Sequence, residues 1–462
     1  HIPPNAPTAT AESSNAPLTA PKVERVVVVG LGYVGLPAAL CFARAGFDVT
    51  GVDINPAAVR AIERGQSPLP DAATDAEVEE AVKSGRFRAT TVAADAVRDA
   101  DLVTVCVPTP VTHDHKPDLV PLQKASEAIG KGLRAGRGTV VCYESTVFPG
   151  CTERECVPIL ERESGLKAGR DFGIAYCPER VNPGDPDHTT SKMARVLGAQ
   201  DERSFQVAFT AYSKAIPSPI HRVRDVRTAE AVKVFENTQR DVNIALINEF
   251  ARLCPLLGLD VHEVIAGCKT KFNFVPVSPG PGVGGHCIPV DPYYLIEEAR
   301  GHGFEPRMMA TAREVNDATT RHVATATLQE IARAMDPERA KVAVLGLAYK
   351  GGVADLRESP AEEIVKGLAP RVAVLAVHDP RIEPDRVLKA TGIPAFTLED
   401  AVSGSHAITI ATDHPEFKEL DWQRVAALAA PGAVVVDSRN VADPGAVKAA
   451  GLRYWGLGRG AL

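Results

Sequence analysis

A glycine-rich turn between an apolar run and a helical segment constrains the fold of this chain more than any other feature. Residues 25–29 form a β-branched run that predicts a strand, and residues 30–35 are Gly-Leu-Gly-Tyr-Val-Gly. Residues 37–45 then predict a helix, and residues 47–52 predict a second strand that ends at Asp53. A strand, a GxGxxG turn, a helix and an acid at the end of the second strand are together typical of a dinucleotide-binding βαβ unit.

The composition of this unit predicts a site for NAD. Glycines allow a pyrophosphate to approach the backbone N–H groups at the start of the helix. The Asp53 carboxylate would accept hydrogen bonds from the adenosine ribose and would repel a 2′-phosphate, which favours NAD over NADP. The alternative is a glycine turn that only packs a helix against a strand. The residues expected to hold the cofactor are Gly30, Gly32, Tyr33, Val34, Gly35 and Asp53.

Further short apolar runs, each followed by a polar loop, extend the unit into a parallel sheet. In the first half they lie at 102–107, 139–143 and 173–177. A second α/β unit begins near residue 341, but its glycine turn is not a full GxGxxG, so we expect a single nucleotide or a nucleotide-sugar there. Its further apolar runs lie at 371–377, 407–411 and 433–436. The predicted divisions are a flexible tail (1–22), an NAD-binding domain (23–211), a central helical region (212–325) and a nucleotide-sugar-binding domain (326–462).

A long helix is predicted over residues 228–257. Glu230, Lys233, Asn237 and Arg240 are three, four and three residues apart, so they share one helical face. Such a face is usually solvated, but Asn is a poor helix former in mid-helix, which indicates a functional task. A separate apolar stripe is formed by Val232, Phe235, Val242, Leu246 and Leu253.

The loop at residues 279–291, PGPGVGGHCIPVD, carries the most informative chemistry. A loop rich in Gly and Pro can bring backbone against a ligand and present a thiol, here that of Cys287. If a helix starts soon after Cys287, its dipole would lower the pKa of the thiol. Asp291 lies four residues on and could act as a base or orient a charge. The alternative is a structural loop with an inert cysteine.

Composition argues against several other functions. The 462 residues carry a formal net charge of −7 and only 5% are aromatic, so no nucleic-acid or anionic-membrane partner is indicated. The nine cysteines include no CxxC pair, which favours free thiols and a cytoplasmic location. His113 and His115 lie in a polar loop without further ligands, so no metal site is predicted. The uncharged run at 26–43 has the length of a membrane span, but its glycines and proline favour a strand, a turn and a helix.

Together these motifs resemble the UDP-glucose/GDP-mannose dehydrogenase family, the nucleotide-sugar 6-dehydrogenases. The similarity runs from about residue 23 to the C-terminus. The resemblance implies an α/β fold with two Rossmann-like domains joined by a long central helix, and a homodimer formed through that helix. The matching elements, in family order, are VGLGYVGLP (29–37), PTP (108–110), STV (145–147), PER (178–180), ENTQRDVNIA (236–245), GGHCIPVD (284–291), GLAYK (346–350), DLRESP (355–360) and DSRN (437–440).

The resemblance also implies the reaction, a four-electron oxidation of a sugar CH2OH to a carboxylate with two NAD in succession. The Cys287 thiolate would trap the intermediate aldehyde as a thiohemiacetal, and its oxidation would give a thioester that water hydrolyses. Lys233 and Asn237 match the pair that holds the developing oxyanion. Asp291 matches the carboxylate that takes the alcohol proton with an ordered water.

Other roles are implied in the same way. Glu179 matches a glutamate that assists thioester hydrolysis, and Thr146 matches a threonine that positions water. Thr109 and Thr146 would border the nicotinamide and ribose sites. The expected contacts to a UDP- or dTDP-sugar are Glu179, Arg180, Lys233, Asn237, Phe274, Gly284, Lys350 and Arg439, of which Lys350 and Arg439 are the basic positions around the nucleotide-sugar, where positive charge suits a diphosphate.

Departures from the family pattern bear on the substrate. His286 precedes the cysteine and Val290 lies three residues after it, where UDP-glucose dehydrogenases typically have Ser and Lys. The loop therefore looks more like the branch that acts on UDP-N-acetylglucosamine or UDP-N-acetylmannosamine, with UDP-glucose or dTDP-glucose as the alternative. The family's Arg that reaches across the dimer has no clear match, and Lys269 or Lys271 could replace it.

Two other functions stay open on the sequence. A two-electron hydroxyacid dehydrogenase would share the first domain, would need no cysteine and would yield one NADH per substrate. A non-catalytic NAD-binding protein would have no reason to combine Lys233, Asn237, Cys287 and Asp291.

Overall fold

Two mostly parallel sheets organise the chain in the computed structural model, which describes residues 21–69, 73–180 and 192–461. A long helix lies between the two sheets in chain order. The predicted α/β class is therefore confirmed. The predicted N-terminal tail lies outside the described residues except for positions 21 and 22.

The first sheet has eight strands in the order β3-β2-β1-β4-β5-β6-β7-β8. All neighbours pair in parallel except β6 and β7, which are antiparallel. The strands are β1 (Arg25–Val29), β2 (Asp48–Val52), β3 (Phe87–Thr90), β4 (Leu102–Val105), β5 (Val140–Tyr143), β6 (Gly173–Tyr176), β7 (Arg195–Ala199) and β8 (Ile220–Arg222).

Burial on both faces explains the valine run of β1. Val26 and Val28 belong to one hydrophobic core, and Val27 and Val29 belong to another. Because successive side chains of a strand point to opposite faces, a strand covered on both sides needs apolar residues at every position.

The second sheet has six strands in the order β10-β9-β11-β12-β13-β14, and only the pairing of β13 with β14 is antiparallel. It also separates two hydrophobic cores. The strands are β9 (Lys341–Leu345), β10 (Val374–His378), β11 (Ala407–Ile410), β12 (Val434–Asp437), β13 (Arg453–Gly456) and β14 (Gly460–Ala461).

Helices surround both sheets. Those of the first half are α1 (Gly35–Arg44), α2 (Pro56–Glu63), α3 (Asp75–Lys83), α4 (Ala93–Val97), α5 (Val120–Gly132), α6 (Val157–Ser164), which follows a π turn at Thr152–Cys156, and α7 (Glu202–Ala215). The middle of the chain contributes α8 (Val226–Leu253), α9 (Val261–Cys268), α10 (Asp291–Gly301) and α11 (Arg307–Ala332). The second half adds α12 (Pro360–Leu368), α13 (Pro384–Thr391), α14 (Leu398–Val402), α15 (Pro415–Lys418), α16 (Trp422–Leu428) and α17 (Pro444–Ala449).

The central helix α8 is anchored at its start and along its length. Asp225 caps it by accepting a hydrogen bond from the Thr228 N–H at 2.8 Å. Asp241 pairs with Arg313 of α11 at 2.6 Å, so the two longest helices are joined by a buried ion pair. Since α7 runs to residue 215 and α11 runs to residue 332, the divisions predicted at 211 and 325 fall inside helices.

No single helix of the described residues is both long and apolar enough to cross a bilayer. One pair, Val226–Leu257 with Val261–Cys268, meets the criterion by length and composition but is bent by 120°.

Candidate active site

The glycine turn after β1 combines two crowded glycines with an open one. Gly30 has φ +91°, and a Cβ there would lie 2.7 Å from the Cys106 carbonyl oxygen. A Cβ on Gly35 would lie 1.7 Å from the Gly30 carbonyl oxygen. A Cβ on Gly32 would meet nothing within 4 Å. The turn therefore needs glycine for folding at both ends and leaves its middle accessible to a ligand.

Asp53 closes this turn from the end of β2. One carboxylate oxygen accepts the Leu31 N–H at 2.9 Å and the other accepts the Asn55 N–H at 2.8 Å. The residue is only partly buried, so its remaining lone pairs stay available to a ribose. The open Gly32 and this carboxylate together fit the adenosine and pyrophosphate parts of NAD.

The other predicted cofactor residues lie in or beside loops of the same sheet edge. Val34 packs against the first core, and the exposed ring of Tyr33 is covered by the Arg357 guanidinium at 4.6 Å. Thr109 follows β4 and lies beside Tyr294, whose hydroxyl donates to the Pro110 carbonyl at 3.2 Å. Thr146 follows β5 and is half-buried. The described contacts do not test a role for Thr109 or Thr146 at the nicotinamide.

A cavity of about 280 Å³ adjoins Cys287 and is formed by α8, the reactive loop, residues between β6 and β7, and the loop after β9. Its lining contains the predicted residues Arg180, Lys233, Asn237, Gly284 and Cys287. The other lining residues were not predicted as contacts, although Arg240 belongs to the polar face of α8 and His286 to the reactive loop; they are Met193, Glu236, Gln239, Arg240, Gly285, His286, Ile288 and Tyr349.

Asp291 is buried and does not line the cavity, but it contacts a residue that does. The Asn237 side-chain amide donates to its carboxylate at 2.6 Å. Burial raises the pKa of Asp291 to about 6, and Lys233 and Asn237 oppose that rise. A carboxyl group with a pKa near neutrality can accept a proton and release it again, as a general base requires.

The thiol of Cys287 differs from the expectation of a lowered pKa. Helix α10 begins only at Asp291, and burial raises the pKa of the thiol to about 11. The nearby Lys233 ammonium lowers the pKa but does not outweigh the loss of solvation. The thiol is therefore protonated before substrate binds and needs a base when it reacts.

The polar face of α8, for which solvation was the alternative to a functional task, is largely buried. Glu230 is fully buried, and Lys233 and Asn237 are each 8% exposed. Part of the apolar stripe is exposed instead, with Phe235 at 58% and Leu246 at 69%. The polar face is covered because it forms a wall of the cavity, a tertiary contact that helical periodicity alone does not reveal.

Glu179 occupies a buried ion network and does not line the cavity. Its carboxylate accepts hydrogen bonds from Arg195 at 2.6 Å and from the Arg180 N–H at 2.6 Å. The same fully buried Arg195 also pairs with Glu144 at 2.9 Å. A role for Glu179 in hydrolysis stays a prediction, and Arg195 has no sequence signal beyond its place in an apolar run.

Loops of the second domain approach the reactive loop through bare backbone. Gly285 donates its N–H to the Arg357 carbonyl at 3.0 Å. A Cβ on Gly284 would lie 2.7 Å from the Tyr349 Cβ. Arg180 pairs with Glu236 at 2.9 Å at the side of the cavity formed by α8.

Lys350 and Arg439 lie outside the cavity lining, in the loops that follow β9 and β12. Arg439 pairs with Asp413 at 2.6 Å, and Asp413 also accepts the Gly351 N–H at 3.1 Å. The two basic residues thus follow the carboxyl ends of strands β9 and β12, the side of a parallel sheet on which nucleotide ligands bind. Phe274 packs against the second domain's core and not in the cavity.

The remaining cysteines and the histidines of the described residues form no second reactive cluster. All nine cysteines are free thiols, and only Cys268 and Cys287 are partly exposed. His115 stacks on Tyr293 with ring centroids 4.4 Å apart. Within the described part of the chain, no group of three or more His, Cys, Asp or Glu could hold a metal ion.

Comparisons with known proteins match this arrangement along most of the chain. Three models of the UDP-glucose/GDP-mannose dehydrogenase family match: the NAD binding domain at residues 24–216, the central domain at 227–318 and the UDP binding domain at 343–444. The UDP-N-acetyl-D-glucosamine 6-dehydrogenase of Pseudomonas aeruginosa is 37% identical over 91% of this chain and 97% of that protein.

Two solved structures share the fold. The UDP-D-ManNAc dehydrogenase of Pyrococcus horikoshii has a TM-score of 0.86 and 35% identity, covering 94% of this chain and 99% of that one. A UDP-glucose dehydrogenase of Pyrobaculum islandicum has a TM-score of 0.82 and 29% identity, covering 93% of this chain and 96% of that one. Backbone similarity therefore does not separate the two classes of sugar.

Proposed function

The chain belongs to the UDP-glucose/GDP-mannose dehydrogenase family and is an NAD-dependent nucleotide-sugar dehydrogenase, and we propose that it oxidises carbon 6 of a UDP-N-acetylhexosamine to a carboxylate through a covalent intermediate on Cys287. One observation carries the proposal. Cys287 shares a cavity with Lys233 and Asn237, and Asn237 is bonded to the buried Asp291. A thiol, a cation, an amide donor and a base are the groups that a covalent aldehyde oxidation needs.

Each residue has a stated task in the first oxidation. When bound, NAD supplies the acceptor for one hydride in each of the two oxidations. Asp291 takes the alcohol proton through a water, and its pKa of about 6 keeps it ionised at neutral pH. Lys233 and Asn237 stabilise the negative charge that develops on the carbon-6 oxygen.

Cys287 then retains the aldehyde. Asp291 first releases the alcohol proton to solvent; the sulfur then adds to the carbonyl carbon, the thiol proton passes to Asp291, and the carbonyl oxygen becomes the alkoxide of a thiohemiacetal facing Lys233. Because the thiol has a raised pKa, attack is expected only once the base and the aldehyde are both in place. Loss of the second hydride gives a thioester, and water cleaves the C–S bond to release the acid and the thiol.

The sugar is inferred from two independent features. The Pseudomonas aeruginosa and Pyrococcus horikoshii proteins, at 37% and 35% identity, are named for UDP-N-acetylglucosamine and UDP-D-ManNAc, whereas the Pyrobaculum islandicum UDP-glucose dehydrogenase is 29% identical. His286 also lines the cavity beside Cys287, at the position where the loop departs from the UDP-glucose pattern. The sugar therefore meets the imidazole of His286 next to the thiol, in place of the serine that is typical of UDP-glucose dehydrogenases.

A homodimer through α8 belongs to the same proposal. Phe235, Leu246 and Leu253 are exposed on this helix, on the face turned away from the cavity. Large apolar residues in one stripe of a helix favour burial against a partner, here a second copy of this chain. We also place the reaction in the cytoplasm, because a free reactive thiol persists where glutathione keeps cysteines reduced.

A panel of UDP- and dTDP-sugars, read by NADH absorbance, tests the activity. UDP-N-acetylglucosamine or UDP-N-acetylmannosamine should give the highest kcat/KM. Cys287→Ala should lose steady-state turnover and still bind NAD and the sugar. Cys268→Ala is the matched control, since Cys268 is the other partly exposed cysteine and lies outside the cavity lining. Full turnover in the Cys287→Ala enzyme would exclude the covalent route.

A further inference from the structure

The polar face of α8 contains one buried residue that the proposed reaction does not use. Glu230, Lys233 and Asn237 follow one another at intervals of three and four residues and are all buried. Lys233 and Asn237 line the cavity, whereas Glu230 lies one turn earlier and does not. A fully buried carboxylate is retained only where it has compensating partners.

The partners of Glu230 are two backbone N–H groups of the loop after β5. One carboxylate oxygen accepts the Gly150 N–H at 2.5 Å, and the other accepts the Thr152 N–H at 2.9 Å. These amides open the π turn that leads into α6. Burial raises the pKa of Glu230 to about 7, and the hydrogen bonds from the two amides oppose that rise. The side chain thus joins α8 to the start of another helix.

That loop also contains Thr146. At its other end, the Tyr176 hydroxyl donates to the Ser145 carbonyl at 2.9 Å. The segment from 145 to 152 is therefore fixed on one side by β6 and on the other by Glu230. The Glu230 contact therefore ties the far end of the Thr146 segment to α8, the helix that also contains Lys233 and Asn237.

We propose that Glu230 is a positioning residue, which holds the Thr146 loop of the NAD-binding domain at a fixed distance from Lys233 and Asn237. The inference rests on the proposed function, because it assigns the loop to the cofactor side and the two side chains to the sugar side. A displacement of about 1 Å between reacting groups costs on the order of 100-fold in rate. Fixing this distance through one buried carboxylate is therefore a direct way to align hydride transfer.

Glu230→Gln tests the proposal, because the amide keeps the shape but offers one acceptor for two N–H donors. We expect the single-turnover rate of NADH formation to fall roughly 10- to 100-fold. The Kd of the UDP-sugar should stay within about twofold, because Glu230 does not line the cavity. Amide hydrogen exchange of residues 145–152 should become at least about tenfold faster, a readout that needs neither cofactor nor turnover.

Asp241→Asn supplies the matched control. Asp241 is also fully buried on α8, but its partners Arg313 and Asn316 lie on α11 at 2.6 and 2.8 Å. This variant should lose comparable thermal stability, while its hydride-transfer rate and the exchange of residues 145–152 remain within about twofold of wild type.

Two outcomes would overturn the inference. One is a Glu230→Gln enzyme with wild-type hydride transfer and wild-type exchange at 145–152. The other is an Asp241→Asn enzyme that is slowed as much as Glu230→Gln, since a general loss of stability would then explain both. If the wild-type protein itself forms no NADH from any UDP-sugar, the proposed function fails, and the exchange comparison still decides whether Glu230 fixes the loop.

Discussion

The two domains each begin with a glycine turn of nearly the same backbone geometry, in opposite surroundings. Gly30 has φ +91° and Gly346 has φ +92°. Each donates its N–H at 2.8 Å to the last residue of the second strand, Val52 or His378, and an aspartate follows in both places. The first aspartate, Asp53, is partly exposed and accepts two backbone N–H groups.

Asp379, the second aspartate, is buried and has no capacity left for a ligand. It accepts the N–H groups of Leu347, Ala348, Arg381 and Ile382 and contacts His414 Nε2 at 3.1 Å. Burial alone would raise the pKa of Asp379, but the hydrogen bonds from His414 and the backbone lower it to about 2. The same turn is thus open to a cofactor in the first domain. In the second domain its aspartate instead connects neighbouring loops through hydrogen bonds within the protein.

We expect the largest effect on the free energy of unfolding when Asp379 is replaced. Asp379→Ala leaves four backbone N–H groups without their acceptor, at roughly 1–3 kcal/mol for each that stays buried and unpaired. We expect a loss of at least about 3 kcal/mol in the free energy of unfolding, measured by urea denaturation. Wild-type stability in this variant would show that the hydrogen bonds of Asp379 do not stabilise the second domain.

Adding one methyl group to each turn should separate folding from cofactor binding. A Cβ on Gly346 would lie 2.4 Å from the Thr412 Cβ, so Gly346→Ala should cost about 3 kcal/mol through overpacking and backbone strain. Gly32→Ala meets no protein atom and should change stability by less than about 0.5 kcal/mol. It should nevertheless raise the KM for NAD, because its methyl group points into the space that a pyrophosphate needs. The comparison fails if Gly32→Ala destabilises the protein as much as Gly346→Ala.

Removing the partly exposed Asp53 should affect cofactor binding more than stability, because it leaves two backbone N–H groups without their acceptor, where Asp379 leaves four. Asp53→Ala deletes a charged acceptor worth about 1.5–3 kcal/mol to a ribose hydroxyl, which corresponds to roughly a 10- to 150-fold higher KM for NAD. The ratio of kcat/KM for NADP to that for NAD should rise, since the repulsion of a 2′-phosphate is lost. An unchanged ratio would mean that Asp53 does not face the ribose.

The effect of pH on the reaction rate should be smaller than these effects. It should arise from Asp291 at the start of α10, which lies between the two sheets in chain order. Asp291 must be deprotonated to act as a base, and its pKa is raised to about 6, so the rate should fall about tenfold as pH drops from 7 to 5. Asp379 has a lowered pKa, so its contribution to stability is present above the unfolded value and is lost only as pH falls through about 2. Circular dichroism at pH 5 should therefore match that at pH 7. If the protein unfolds at pH 5, the fall in rate cannot be assigned to protonation of Asp291.

Much of this architecture was predictable because its signals are local. The GxGxxG turn, Asp53 and the apolar strands lie within one βαβ unit, and the reactive loop is one uninterrupted stretch. The short strands β3, β7, β8, β13 and β14 were not predicted. Strands β3 and β8 lie at the edges of the first sheet, where exposed positions break the apolar run.

Features that depend on distant partners could not be predicted from the sequence. Arg195 pairs with Glu144 across 51 positions, and neither neighbourhood indicates the other. The raised pKa of Cys287 and the burial of the polar face of α8 have the same origin. Both follow from how the second domain and α8 enclose the cavity, which helix periodicity does not encode.

Counting NADH per sugar tests the central claim that Cys287 retains the aldehyde for a second oxidation. With UDP-N-acetylglucosamine or UDP-N-acetylmannosamine limiting and NAD in excess, the reaction should end at two NADH per sugar, and mass spectrometry should find the carboxylate. One NADH per sugar with free aldehyde as the product would contradict the account.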